Sequence, residues 1–146
     1  MDSKQDEEMS KFDGKITWID SPNFNTRPPE TQIDTIVLHH TVADLQRTFF
    51  LFQKPDNVAA HFTIAKDGAI YQHVATKSRA WHAGVSEDQF GRTNVNDFSI
   101  GIELVNKGDG IDPYPSEQCN SLIPLLRYLL QQFPIKQITT HAFVAR

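Results

Sequence analysis

The stretch from Ile33 to His39 constrains the fold more than any other part of this chain, because it gathers Ile33, Ile36, Val37 and Leu38 into a short run rich in β-branched residues. That pattern fits a strand buried on both faces, which needs layers packed above and below it. A central strand in a layered domain is the expectation.

The neighbouring segments supply those layers. Ile16 to Glu30 is dense in turn formers (Asp20, Ser21, Pro22, Asn23, Asn25, Pro28, Pro29) and reads as an irregular lead-in. Val42, Leu45, Phe49 and Phe52 fall three or four apart after Thr41, which predicts a helix capped by Thr41 and ending by Pro55. His61–Ala65 and Ala69–Val74 flank Asp67-Gly68, a hairpin signal in which both turn positions take positive φ. Residues 76–98 show no period and read as a long loop. Ser99 to Val105 alternates, with Ile100, Ile102 and Leu104 on one face and Gly101 and Glu103 on the other. Ser116 is placed to cap a second helix whose stripe is Cys119, Leu122, Ile123, Leu126, Leu129, Leu130 and Phe133, with Pro124 as a kink on the wet side. A last strand, Gln137–Thr140, delivers His141 at its end. The order predicts a single α/β domain with a mixed central sheet flanked by helices.

A chain of 146 residues suits one domain with a real core. Its net charge of −4 offers no case for binding nucleic-acid phosphates. The acidic excess sits in Asp2, Asp6, Glu7 and Glu8, so residues 1–15 read as a flexible acidic tail. Cys119 is the sole cysteine, which excludes an intramolecular disulfide and a thiolate metal cluster. The apolar-rich Leu122–Leu130 stretch is interrupted by Pro124, Arg127 and Tyr128, and the start of the chain is acidic and polar. No membrane partner and no export signal are expected, and the location expected is cytoplasmic.

Six histidines make the polar inventory informative, since imidazole binds zinc and moves protons near neutral pH. His39 and His141 each fall at the carboxyl end of a strand, the edge where ligands collect in open α/β sheets. Two imidazoles there either share a metal or form a hydrogen-bonded pair. His40 must point to the opposite face from His39. Glu103, off the apolar face, is either a general base near that metal or an ordinary solvent-facing carboxylate. Trp81, His82, Ala83 and Gly84 form an aromatic and imidazole turn that either walls a cleft or anchors a loop. His61 and His73 suit structural or rim positions, and Cys119 suits the core.

Several segments together resemble one family, the type 2 zinc-dependent N-acetylmuramoyl-L-alanine amidases, which share their fold with peptidoglycan recognition proteins. The matching segments are Ser21-Pro-Asn-Phe-Asn-Thr-Arg-Pro28, Ile36-Val-Leu-His-His-Thr41, Ala60-His-Phe-Thr-Ile64 with Asp67-Gly68, Ala80-Trp-His-Ala-Gly84, Asn96-Asp-Phe-Ser-Ile-Gly-Ile-Glu103 and Thr140-His141. They run in family order.

The resemblance implies zinc held by His39 and His141, Glu103 as the catalytic carboxylate, and hydrolysis of the amide between N-acetylmuramic acid and L-alanine in peptidoglycan or muropeptides. Trp81, His82, Asn96 and His61 are the expected substrate-binding residues. The family's closing segment carries an oxyanion-stabilising Lys and an Asp that is the third zinc ligand, whereas this sequence runs Ala142-Phe-Val-Ala-Arg146. The third ligand is therefore expected beyond Arg146, and residues 16–146 are expected to form an amidase domain incomplete at its C-terminal side. Two other readings stand beside this one: a muropeptide-binding module without turnover, and a metal-independent hydrolase using His39 and His82 as acid and base.

Overall fold

A computed structural model of the chain describes residues 9–146. Of the tail expected over residues 1–15, residues 1–8 lie outside the described residues. Met9 and Phe12 pack against the core, and the Phe12 ring meets Tyr128 edge-on at 5.5 Å. The apolar side chains interspersed among the charges explain that packing.

Six strands form the main sheet: β1 (Ile16–Trp18), β3 (Thr35–His40), β4 (Phe62–Ile64), β5 (Ile70–Gln72), β7 (Ser99–Leu104) and β8 (Gln137–Thr140). Their spatial order is β1-β5-β4-β7-β3-β8, and only the β4–β5 pair is antiparallel. A two-stranded ribbon joins β2 (Phe24–Asn25) to β6 (Arg79–Ala80). The lead-in is thus more regular than its turn formers suggest, because Ile16–Trp18 finds an open edge on β5. The mixed sheet and interior β3 agree with the sequence expectation.

The helices are α1 (Leu45–Gln53), α2 (Ser116–Gln132) and the short α3 (His141–Val144), with a 3₁₀ turn at Val95–Phe98. Period-two alternation divides the sheet. Ile36, Phe62, Ile64, Ile70, Ile100 and Ile102 meet Leu125 and Leu129 of α2 in the main core. The other face carries Val37, Ala83, Val95, Phe98 and Val144, and beside them Phe52 of α1 with Ala59, Ala60, Val74 and Ala80.

Local chemistry departs from expectation in four places. Thr41 does not cap α1: its N–H donates to Leu104 O, continuing the sheet, and Val42 takes φ of 62° before Asp44 caps the helix by accepting from Arg47 N–H. In the hairpin only Gly68 has positive φ, since Gly68 N–H bonds back to Ala65 O in a three-residue loop rather than a two-residue one. Pro115, not Ser116, occupies the N-cap position of α2. The buried stripe of α2 is rotated toward Gln118, Leu125, Tyr128 and Leu129, leaving Ile123 and Leu130 nearly half exposed and Cys119 only partly covered. Buried Gln118 explains the rotation, because its amide donates to Ile64 O and Val105 O and ties the helix to the ends of β4 and β7. Pro124 faces solvent, as expected.

The lead-in segment builds the wall beside α1. Buried Asn23 donates to Phe52 O, Lys54 O and Val58 O, and the Ser21 hydroxyl also bonds Phe52 O. Buried Arg27 donates to the carbonyls of Thr76, Asn96 and Asp97 in the irregular segment and to that of Ser99 at the start of β7.

Candidate active site

β3 and β7 run parallel and in register, which sets His39 directly beside Glu103. On the other side of β3, Thr140 of β8 pairs with Leu38, so His141 emerges at the same carboxyl edge. The rings of His39 and His141 lie 4.9 Å apart, centroid to centroid. All three side chains line one cleft of about 640 Å³, bounded also by His40, His82, Val42, Phe52, Val58 and Tyr114. The sheet edge named from sequence is thus where the structure gathers the chemistry.

Burial sets the electrostatics of this cleft. It pushes the Glu103 carboxyl up to about 8, through the loss of hydration that the charged form would suffer. It pulls His39 down to about 3, with smaller contributions from the neighbouring His141 and His40. His82 is likewise held well below its ordinary value, first by burial and then by His39, His61, Arg27 and His141. His39 and His82 are therefore neutral at pH 7, the form in which imidazole ligates metals or accepts hydrogen bonds.

Two buried atoms of the cleft residues have no hydrogen-bond partner, Glu103 Oε2 and His141 Nδ1. Buried polar atoms are rarely left so, and an unsatisfied imidazole nitrogen beside a second neutral imidazole suits a divalent metal of zinc type. Among the described residues, no three His, Cys, Asp or Glu side chains come together as a complete metal cage.

The four expected substrate-binding residues fare differently. His82 lines the cleft, buried, with Nδ1 3.0 Å from His39 Nε2 and Nε2 3.0 Å from Ser99 Oγ. His61 is fully buried away from it: Gly101 N–H donates to Nδ1, and Nε2 meets Ser78 O at 2.8 Å, so both ring nitrogens are spent inside the protein. Asn96 is also buried, its Oδ1 accepting from the backbone N–H groups of His82 and Ala83 and pinning that turn. Trp81 is half-buried, donates from Nε1 to Asn25 Oδ1, and lies outside the cleft lining. The hydrogen bonds of these three brace the long loop, because an irregular segment must satisfy its backbone groups internally. Sequence reasoning missed the cleft wall of Val58 and Tyr114, which no period in the sequence marks, and assigned Val42 to a helix stripe, whereas it precedes α1 and lines the cleft.

A family model described as N-acetylmuramoyl-L-alanine amidase matches residues 29–146. The chain belongs to the N-acetylmuramoyl-L-alanine amidase family. It is 33% identical to the 1,6-anhydro-N-acetylmuramyl-L-alanine amidase AmpD of Escherichia coli K12, over 87% of this chain and 79% of that one. The crystal structure of a selenomethionine derivative of AmpD superposes with a TM-score of 0.79 at 32% identity, covering 90% of this chain and 84% of the other. The amidase AmiD of E. coli, solved with anhydro-N-acetylmuramic acid-L-Ala-D-γ-Glu-L-Lys, gives a TM-score of 0.68 at 30% identity over 81% of this chain and 52% of that one. The layered α/β domain is thus the amidase fold of these structures.

Proposed function

We propose that this chain hydrolyses the amide bond joining the lactyl carbonyl of N-acetylmuramic acid to L-alanine in muropeptides, at the cleft formed by His39, Glu103 and His141. The observation that carries the proposal is the juxtaposition of unpartnered Glu103 Oε2 and His141 Nδ1 with neutral His39 in one cleft. His39 and His141 would hold zinc; among the described residues no third His, Cys, Asp or Glu joins them in one cluster. Bound there, zinc supplies Lewis-acid polarisation of the scissile carbonyl.

The chain's own residues do the rest. Glu103 accepts a proton at Oε2 from the attacking water and delivers it to the departing alanine nitrogen. Burial raises the Glu103 carboxyl in the metal-free chain, and a cation held by His39 and His141 would draw it back toward the ionised form that accepts this proton. Substrate seated against the apolar wall of Val42, Phe52 and Val58 would displace water from one side of the bond being cut. Similarity to AmpD and to a structure holding an anhydromuramyl peptide supports this substrate class. Cytoplasmic action is part of the same proposal and rests on the likeness to AmpD. Among the described residues no helix is long and apolar enough to cross a membrane.

The test is incubation of the zinc-supplemented chain with anhydro-N-acetylmuramic acid-L-Ala-D-γ-Glu-L-Lys, followed by mass spectrometry. Release of the intact tripeptide and the sugar acid is expected. Retention of uncut ligand by the protein would favour a binding module. Full cleavage in strong chelator would favour histidine-only hydrolysis.

A further inference from the structure

His82 enters no step of the proposed reaction, yet it is buried against His39, one of the two histidines that would hold the metal. Its Nδ1 lies 3.0 Å from His39 Nε2, with the two rings perpendicular and 5.1 Å apart. Its other nitrogen meets Ser99 Oγ at 3.0 Å. The ring is wedged in place by Gly101, where an added Cβ would fall 2.5 Å from His82 Cγ. Gly101 is itself held by fully buried His61, which takes the Gly101 N–H at Nδ1 and donates its own backbone N–H to Gly101 O. A side chain of any size at 101 would push the imidazole off His39.

We propose that His82 is the positioning residue that orients His39 for metal, accepting the His39 Nε2–H at Nδ1 and donating its own Nε2–H to Ser99 Oγ. In this polarity His39 Nδ1 carries only a lone pair, and both rings take the Nε2–H form that neutral imidazole favours in water. A histidine ligand needs its second nitrogen engaged in this way to fix ring orientation and tautomer. The usual partner is a carboxylate or a carbonyl; here a second imidazole fills the place, backed by a hydroxyl that completes its hydrogen bonding. Gly101 then serves as the space that admits the His82 ring, which gives the glycine two residues before Glu103 a role separate from backbone freedom.

The inference rests on the metal reading of His39 but is tested apart from turnover. Two-bond ¹H–¹⁵N correlation of the metal-free chain at neutral pH reads the ring tautomers directly. Nε2–H on both His39 and His82 is expected; Nδ1–H on His82 would reverse the polarity, load His39 Nδ1 with a proton and overturn the proposal. In zinc titrations, His82→Ala is expected to weaken zinc affinity about 10- to 100-fold, as loss of such outer partners does. His82→Asn, which keeps an acceptor near the Nδ1 position, is expected to recover much of it. Unchanged zinc affinity in a folded His82→Ala protein would also overturn the proposal, whereas failure of the wild-type chain to cleave muropeptide would instead strike the functional reading. Should His82→Ala not fold, Ser99→Ala is expected to erode the single tautomer at His82, and an unaltered His82 spectrum there would count against the relay.

Discussion

His39 and Glu103 are register partners on adjacent parallel strands, β3 and β7, so the metal-ligand candidate and the proton-transfer candidate are fixed to each other by the sheet and not by a loop. Backbone hydrogen bonds on both sides of β3 hold that spacing, since β8 pairs with its other edge and brings His141 alongside. A site mounted on paired strands needs little reorganisation when substrate arrives.

Replacing Glu103 by Gln keeps the side-chain volume and removes the proton acceptor. Turnover of muropeptide is expected to fall about 10²- to 10⁴-fold while ligand affinity changes little. Steady-state kinetics alongside calorimetric binding separate the two; a parallel loss of binding and turnover would assign Glu103 to substrate recognition.

The buried carboxyl also marks the pH dependence of stability. Unfolded, Glu103 loses its proton above about pH 4, whereas the folded, metal-free chain keeps it up to about 8. The folded state therefore binds the extra proton across that window, and this group's contribution to stability declines as pH rises through it. Buried His39, His61 and His73, held down to about 3, 3 and 4, act in the opposite direction below their ordinary range. The comparison that isolates the carboxyl is wild type against Glu103→Gln in chelator: Tm is expected to drop more steeply from pH 6.5 to about pH 8 in the wild type. Parallel curves would show that Glu103 is ionised in the fold.

Arg92 holds the base of the long loop by donating to both oxygens of Asp34 and to Asp88, across the ends of β3 and β8. Burial alone would raise both carboxyls, but hydrogen bonds to Arg92, with Thr35 at Asp34 and Gln137 at Asp88, outweigh it and hold them below their ordinary range. Their stabilisation is present above about pH 4 and lost as pH falls through the lowered folded values. Arg92→Ala is expected to cost about 2 kcal/mol, less than the loss typical of a fully buried pair because the guanidinium is partly exposed. Urea melts at pH 7 and pH 3 check this: the deficit of the variant should shrink at the lower pH.

Much of this was legible in the sequence because it depends on short-range pattern. The run ending at His39, the alternation through Glu103 and the strand before His141 each fix which face and which end a side chain occupies, and three such strands suffice to gather the site. What sequence did not show depends on partners distant in the chain. His61 looks like a ligand-binding group until Gly101 and Ser78 engage both its ring nitrogens, and Asn96 Oδ1 is likewise engaged by the backbone of His82 and Ala83. The α2 stripe is displaced because Gln118, polar by composition, is drawn inward by carbonyls of β4 and of the residue after β7. Thr41 has the chemistry of a cap but is already committed to the sheet edge.

Gly68 shows the same principle at a turn. It holds φ of +91°, and an added Cβ would lie 2.7 Å from Glu117 O on α2. Gly68→Ala is expected to cost more than about 1 kcal/mol through both backbone strain and the clash. Denaturant melts measure it, and a neutral effect would mean that α2 yields at its first turn.

The most direct test of the proposed chemistry is to run the cleavage of anhydro-N-acetylmuramic acid-L-Ala-D-γ-Glu-L-Lys in H₂¹⁸O with zinc present and to locate the label by mass spectrometry. Water attacking the lactyl carbonyl places ¹⁸O in the carboxylate of the sugar acid and none in the released tripeptide, which is the result expected. Label in the peptide, or a sugar still joined to L-alanine after full incubation, would contradict amide hydrolysis at this site.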